Sequence, residues 1–257
     1  MALLRKYRLK LLSLLLVVAG LLPFQANAVV LDWDSVNWVS GNLTQSFDID
    51  ASNPGNDITI TITGDTGYLA QNVDDNSNLT GGLSPTEQSL FMNMNYSSEN
   101  QLITVSVVFH YDYGVEDVSF SIFDVDRNSS SDNNVGYRDR IDLLGITLDN
   151  QLVAPTTIID YPDNDVRSSG TNVYVRGDDS TSDSSSDANV DYAFSGTNVI
   201  NQFFFTYGNH SSAPNNPGNQ WISLHDITYK PKVPEWHPGL IAAIACVMTV
   251  GVRRFFF

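Results

Sequence analysis

The chain has 257 residues, of which 13 are lysine or arginine and 29 are aspartate or glutamate, giving a formal net charge of −16. The excess of acidic side chains repels nucleic-acid phosphates, so nucleic-acid binding is disfavoured. Cys246 is the one cysteine and lies near the C-terminus, so residues 29–232 can form no disulfide and use no catalytic thiol.

The N-terminus is predicted to be a secretory signal peptide, residues 1–28. Its basic residues are Arg5, Lys6, Arg8 and Lys10, and an apolar core follows from Leu11 to Leu22. Ala26 and Ala28 flank Asn27 in a small-x-small pattern, so cleavage is expected after Ala28. The alternative is a signal anchor that stays in the membrane, but its apolar core is shorter than the ~20 residues that a span requires. The sequence therefore predicts an exported protein.

Residues 29–232, here called the body, contain 7 basic and 28 acidic residues, a formal charge of −21. Apolar and polar residues alternate in the body, a period-2 pattern typical of half-buried strands. The clearest alternations place these residues on one face: Ile58, Ile60 and Ile62; Ile103, Val105, Val107 and Phe109; Val118, Phe120 and Ile122; Phe203, Phe205 and Tyr207. Weaker candidates are Ser46–Asp50, Phe91–Tyr96, Arg140–Leu148, Leu152–Ile159, Asn172–Arg176, Val190–Phe194 and Trp221–Tyr229.

Turn residues punctuate these segments, at Asn53–Asn56, Gly64–Gly67, Gly81-Gly82 and Asn215–Gly218. Many strands with short turns predict an all-β fold, an antiparallel two-sheet sandwich of jelly-roll-like form, with the body as one domain. An N-terminal signal helix and a C-terminal transmembrane helix are expected to flank it. Two acidic stretches, Asn72–Asn78 and Asp178–Asp191, do not fit strands, and the second is predicted to be a mobile surface loop.

Motifs for catalysis are absent from the body. None of its three histidines, His110, His210 and His225, lies in an H-E-x-x-H motif, and no G-x-S-x-G motif or phosphate-binding glycine loop occurs. His225 and Asp226 are neighbours on a predicted strand, so their side chains are expected to point to opposite faces. The body is therefore predicted not to be an enzyme. A secreted hydrolase with paired carboxylates is the alternative, because 28 acidic residues make a suitable spacing easy to reach by chance.

The segment Asp124–Asp142 holds the densest set of oxygen ligands. Asp124 and Asp126 are expected to point to the same side at the end of a strand, and Asp139 to close onto them from the next strand. Ca²⁺ takes 6–8 oxygen ligands, so these three aspartates are the predicted Ca²⁺ ligands. In the alternative interpretation, Asp124 and Asp126 cap a turn and are neutralised by Arg138 or Arg140.

Large aromatic side chains suit stacking on sugar rings. The predicted ligand-stacking residues are Trp33, Trp38, Tyr111 and Tyr113, with Trp221 as a further aromatic surface. A β-sandwich with aromatic residues and a calcium loop is a common plan for carbohydrate binding. The alternative is that the tryptophans fill the core.

The C-terminal tail, Val233–Phe257, has a distinctive order of parts. Val233-Pro234-Glu235 come first, the apolar run Leu240–Val252 follows, and Arg253-Arg254 precede three phenylalanines. Thirteen helical residues span ~20 Å, less than a ~30 Å hydrocarbon core, although Trp236 and the phenylalanines extend the run. We interpret the tail as a transient membrane anchor rather than a permanent one.

This tail resembles those of PEP-CTERM proteins, the exosortase substrates of Gram-negative bacteria. Val233, Pro234 and Glu235 match the start of the family's Val-Pro-Glu-Pro motif, Trp236 departs from it, and Arg253-Arg254 match its arginine cluster. The resemblance implies export, a stage in the inner membrane with the arginines on the cytoplasmic side, and cutting near Pro234-Glu235 by an exosortase-like transpeptidase. It also implies delivery to the cell envelope or extracellular matrix, where such families are associated with exopolysaccharide and biofilm.

Together these features predict a non-catalytic cell-surface or matrix protein whose ligands are exopolysaccharide and Ca²⁺. Two alternatives stay open from the residues. One is a secreted polysaccharide-acting hydrolase, and the other is an adhesive module that binds proteins through an exposed apolar or edge-strand surface.

Overall fold

The computed structural model describes residues 27–129, 135–169, 172–196 and 198–234. Residues Asn27–Lys232 form one compact unit, and its first strand begins at Val29, the residue after the predicted cleavage site. The predictions for Ala26, Glu235, Arg253-Arg254 and the two terminal helices lie outside the described residues. Within these four ranges, no helix has both the length and the apolar character needed to cross a membrane.

The described residues form strands almost throughout, with one short 3₁₀ helix at Thr66–Tyr68. The strands are β1 (Val29–Leu31), β2 (Thr44–Phe47), β3 (Ile58–Gly64), β4 (Asp74–Asn76), β5 (Ser89–Tyr96), β6 (Leu102–Phe109), β7 (Val115–Phe123), β8 (Arg127–Ser129), β9 (Val135–Thr147), β10 (Leu152–Val153), β11 (Thr157–Asp160), β12 (Asn164–Ser169), β13 (Asn172–Gly177), β14 (Val190–Phe194), β15 (Ile200–Asn209), β16 (Gly218–Leu224) and β17 (Ile227–Pro231).

All strand pairs in the described ranges are antiparallel. One half of the sheet runs β2-β3-β6-β15-β9-β13-β12, and we call it the β15 half. The other runs β4-β5-β16-β7-β14-β11, with β17 continuing β16 and pairing with β1, and we call it the β7 half. Pairing between Ile200 and Val115 joins them into one curled sheet. The predicted all-β antiparallel class is confirmed.

The core lies between the two halves. Phe120 of β7 stacks on Phe203 of β15 with ring centroids 4.3 Å apart and an interplanar angle of 8°, and Phe109 contacts Tyr229 at 4.9 Å. The alternating residues predicted to face inward on β3, β6, β7 and β15 are buried. Because side chains alternate across a strand, each apolar set reaches the same interior and leaves its polar neighbours outside.

The two acidic stretches that did not fit strands in the sequence have different outcomes. Asp74–Asn76 within the first stretch forms β4, which pairs with β5 at the sheet edge. The second stretch stays without strand structure until Val190, but hydrogen bonds tie it to its neighbours. Thr80 N–H donates to the carbonyl of Asp183 at 3.0 Å, and Ala188 is fully buried. These contacts could not be predicted from the polar local sequence, because the residues that form them are distant along the chain.

A bulge separates β16 from β17. Leu224 pairs with Ile122 and Thr228 pairs with Ser119, so the β16–β17 side contains one more residue than β7. His225 and Asp226 occupy this irregularity, and such an extra residue breaks strict side-chain alternation. The expectation that their side chains point to opposite faces is therefore wrong: His225 Nε2 lies 4.0 Å from Asp226 Oδ1.

Candidate functional site: a pocket beside Trp221

The outer face of strands β5 and β16 carries an aromatic pocket. Trp221 and Asn93 are direct cross-strand partners, so their side chains share one face of the sheet. Ile222 and Leu224 are buried in the core, and Trp221, which has the opposite parity on β16, faces away from it. Trp221 consequently stands half-buried on the surface side of the sheet.

The pocket has a volume of about 180 Å³ and is lined by Gln71, Asn78, Leu79, Phe91, Asn93, Asp183 and Trp221. The Phe91 and Trp221 rings lie 6.5 Å apart at an angle of 38°. Leu79, Phe91 and Phe123 form a small buried cluster against which Trp221 packs. This second cluster, outside the main core, holds the indole in place.

Polar side chains converge on the aromatic floor. Asn93 is 2 % exposed, and its Oδ1 has no hydrogen-bond partner among the described residues. Gln71, Asn78 and Asp183 are exposed at the rim. Two amide groups and one carboxylate at the rim, with a buried unpaired acceptor below them, can bond several hydroxyl groups at once. An apolar wall with a few convergent polar groups is the usual composition of a small-ligand site.

The three aspartates predicted as calcium ligands lie next to this pocket. Asp124, Asp126 and Asp139 are 6 %, 3 % and 0 % exposed. Asp139 closes onto Asp126 as expected, since its Oδ2 accepts the Asp126 N–H at 3.3 Å, while Tyr207 donates to its Oδ1 at 3.1 Å. The fold thus brings three buried carboxyl groups together at the end of β7.

Burial also raises the pKa of each carboxyl. It raises the pKa of Asp124 to about 8, with the charges of Asp126 and Asp183 adding to the effect and a hydrogen bond from Trp221 opposing it. Burial raises the pKa of Asp126 to about 6, against a hydrogen bond from Thr181 N–H at 3.0 Å. The pKa of Asp139 is raised well above its ordinary value by burial and the neighbouring carboxylates.

The alternative in which arginine neutralises these aspartates is wrong. Arg138 pairs with Asp178 at 3.0 Å and Arg140 with Asp142 at 2.7 Å. In the described ranges, no ion pair reaches Asp124, Asp126 or Asp139.

The fit of these aspartates to Ca²⁺ is mixed. In the part of the chain that the structure describes, no hydrogen-bond partner reaches the buried Asp126 Oδ1, which leaves a carboxylate oxygen for a cation. The described residues whose ligand atoms all lie within 4.8 Å of one another form a different group, Glu87, His225 and Asp226. Calcium binding by Asp124, Asp126 and Asp139 therefore stays a prediction.

The predicted ligand-stacking residues lie elsewhere. Trp33 and Trp38 are 0 % and 1 % exposed and pack on Phe47 at 5.9 and 6.2 Å. Their faces are covered by the core, so the assignment of both as stacking residues is corrected. Tyr111 is half-buried and its hydroxyl bonds Asp50, Asp57 and Tyr229. Tyr113 is 49 % exposed, but it does not line the pocket.

The pocket itself was not predicted, although one part of it had a sequence signal. In Gln220–Leu224, the apolar Ile222 and Leu224 share one parity and Trp221 has the other, which marks Trp221 as an outward-facing tryptophan. Asn78 and Asp183 had no such signal. They come from loops more than 100 residues apart, and only the folded chain brings them together.

The chain is similar to three solved carbohydrate-binding modules. TmCBM61, solved in complex with beta-1,4-galactotriose, is 12 % identical, with a TM-score of 0.35 over 67 % of this chain and 88 % of that one. CBM28, specific for non-crystalline cellulose, is 8 % identical, with a TM-score of 0.37 over 66 % and 86 %. TmCBM27, which recognises mannan, is 10 % identical, with a TM-score of 0.36 over 81 % and 100 %. No protein-family model and no curated protein matches the chain.

Proposed function

We propose that this chain is an exported, non-catalytic protein that binds polysaccharide in the pocket beside Trp221. The observation that supports the proposal most is the outward tryptophan surrounded by hydrogen-bonding groups. A sugar ring has apolar C–H faces and a rim of hydroxyls, so it can stack on the indole while its hydroxyls reach Gln71, Asn78 and Asp183. A hydroxyl that donates to Asn93 Oδ1 would also satisfy a buried acceptor that otherwise costs about 1–3 kcal/mol.

The proposed ligand is a neutral polysaccharide. The body carries a formal charge of −21, and Asp183 places one carboxylate at the pocket rim. Uronate-rich or sulfated chains would meet this negative field and be repelled at low ionic strength. Neutral sugar units pay no such penalty.

The proposal also includes delivery to the cell surface. Its support is the sequence: the signal pattern ending at Ala28 and the PEP-CTERM-like order of the tail from Val233. An exosortase-like enzyme is the proposed processing partner, with the inner membrane as a transient location. The envelope or matrix would then present the pocket to exopolysaccharide.

Replacing Trp221 tests the function. In Trp221→Ala we expect binding to a neutral polysaccharide to weaken by about tenfold or more, because the stacking surface is lost. Trp221→Phe should retain part of the affinity. Affinity electrophoresis of the full-length chain in gels containing galactan, mannan or amorphous cellulose measures the change.

The control is Tyr113→Ala, which removes an exposed aromatic side chain outside the pocket. Retardation by the polysaccharide should stay unchanged in this variant. Equal loss in both variants, or full retardation of Trp221→Ala, would contradict the proposal. Circular dichroism of each variant verifies that the β-sheet is intact.

Hydrolysis of the bound polysaccharide is a second candidate function. A carboxyl group with a raised pKa is typical of a general acid, and Asp124 is such a group, whose pKa is influenced by the pocket residues Trp221 and Asp183. Its side chain is 6 % exposed and does not line the pocket, which favours binding without cleavage. Release of reducing ends that disappears in Asp124→Asn or Asp183→Asn would establish the hydrolase instead.

A further inference from the structure

The bulge between β16 and β17 gathers three metal-ligating side chains from distant parts of the chain. Glu87 lies 138 residues before His225, yet its Oε2 is 3.0 Å from His225 Nε2. Asp226 Oδ1 lies 4.0 Å from the same nitrogen. One oxygen of each carboxylate and the imidazole nitrogen all lie within 4.8 Å of one another.

These separations suit a small divalent cation. With metal–ligand bonds of 2.0–2.2 Å, the ligands of a tetrahedral Zn²⁺ lie ~3.3 Å apart. The observed 3.0 and 4.0 Å bracket that value. The Glu87 side chain is 38 % exposed, so its carboxylate has room to rotate toward a bound ion.

The surroundings hold the ligands in place. The His225 ring stacks on Phe123 with centroids 4.8 Å apart and an angle of 27°, and its backbone N–H donates to the Ser121 carbonyl at 3.0 Å. Asp226 Oδ1 accepts the Trp33 N–H at 3.1 Å. Such supporting contacts orient metal ligands in known sites, and here they fix the imidazole and one carboxylate before any ion arrives.

The local charge also favours a cation. Glu87 and Asp226 contribute two carboxylates, and Asp32 is close enough to act on Asp226. In the described ranges, the ion pairs of Glu87 and Asp226 are formed with His225 and not with lysine or arginine. An imidazole together with two carboxylates is a ligand set for first-row divalent metals rather than for Ca²⁺ or Mg²⁺, which prefer oxygen ligands alone.

We propose that Glu87, His225 and Asp226 bind a divalent transition-metal ion, with Zn²⁺ as the probe. The ion would connect the segment between β4 and β5, which carries Glu87, to the bulge after β16. That same segment supplies Asn78 and Leu79 to the pocket beside Trp221. Metal binding would therefore stabilise one wall of the pocket without entering it, and the site is independent of whether the pocket binds sugar.

The test is Zn²⁺ titration of the untagged, full-length chain in detergent micelles, monitored by calorimetry. Cys246→Ser is introduced in every sample because this is the one thiol of the chain. Excess Ca²⁺ occupies weak carboxylate sites on the acidic surface, and 150 mM salt screens its charge. We expect one Zn²⁺ per chain, a higher melting temperature on loading, and visible-region bands when Co²⁺ replaces Zn²⁺.

Two variants identify the ligands. His225→Gln and Glu87→Gln should each weaken Zn²⁺ binding by tenfold or more and remove the gain in melting temperature. His210→Gln is the matched control, because His210 contacts Ser212 in another loop, and it should bind as the parent does. Glu87 is half-exposed, so its variant keeps the test decisive even where His225→Gln folds poorly. Unchanged stoichiometric binding in either variant, or no one-to-one binding by the parent, would overturn the proposal.

Discussion

Asp124, Asp126 and Asp139 are expected to make the stability of the protein depend on pH. Each is almost fully buried without a basic partner in the described ranges, and burial raises each pKa. The unfolded chain ionises aspartate near pH 4, whereas the folded chain retains these protons to higher pH. Between these limits the folded state binds more protons, so the free energy of unfolding falls as pH rises.

We therefore expect the metal-free protein in EDTA to be more stable at pH 5.5 than at pH 8. Asp124 alone contributes up to about 1.4 kcal/mol per pH unit over this window, because its pKa is about 8. Asp124→Asn should flatten the dependence and raise the melting temperature at pH 8. Denaturant unfolding at a series of pH values measures how the free energy of unfolding depends on pH. Asp112→Asn is the control, because Asp112 is exposed. A parent protein that gains stability from pH 5.5 to pH 8 would refute this account.

The same measurement tests the calcium prediction. If Asp124, Asp126 and Asp139 bind Ca²⁺, the ion favours their ionised forms, and adding it at pH 8 should raise the melting temperature. Asp124→Asn should lose that gain. If Ca²⁺ does not raise the melting temperature of the parent, the calcium prediction is wrong. The three buried carboxyl groups would then be stabilised by retaining protons instead.

At the level of elements, the end of hairpin β12–β13 supports the carboxylate cluster. A Cβ added to Gly177 would overlap the backbone carbonyl of Asp126, so the glycine lets β13 lie directly on the segment after β7. Nearby, Arg127 N–H donates to the Asp179 carbonyl at 3.0 Å. Close backbone approach of this kind is a recurrent use of glycine in strands.

Gly177→Ala should lower the free energy of unfolding by about 1–3 kcal/mol, because the added methyl forces two backbone segments apart. Gly67→Ala is the control: no atom of the described residues lies within 4 Å of its added Cβ, and the stability of this variant should change little. Chemical denaturation compares the two. A Gly177 variant as stable as the control would show that the segments separate without cost.

The sequence patterns predicted the main strands but not which strands pair with one another. The period-2 alternation identified β3, β6, β7 and β15, since a strand's two faces are encoded within a few residues. The edge strand β4 was missed because Asp74–Asn76 has no apolar alternation and is defined by its pairing with β5. The bulge at His225-Asp226 was missed for a similar reason: it exists only relative to the facing residues of β7.

At the scale of the whole molecule, the two ends of the chain carry the proposed route to the cell surface. If the signal is removed after Ala28 and the tail is cut near Pro234, the mature protein is the acidic body alone. Intact-mass spectrometry of the protein from the native cell surface should then give a species that starts at Val29 and ends near Pro234. A species ending at Phe257 in the inner membrane would reject sorting and indicate a permanent anchor.

The sequence by itself determined the all-β antiparallel class and the inward faces of the main strands, because these depend on local alternation. It also drew attention to Asp124, Asp126 and Asp139, which the structure brings together. Only the tertiary structure assembled a pocket around Trp221 from distant loops, and it set Trp33 and Trp38 in the core. It alone placed Glu87 beside His225 across 138 residues, because strand pairing and a one-residue bulge, rather than sequence proximity, decide which side chains meet.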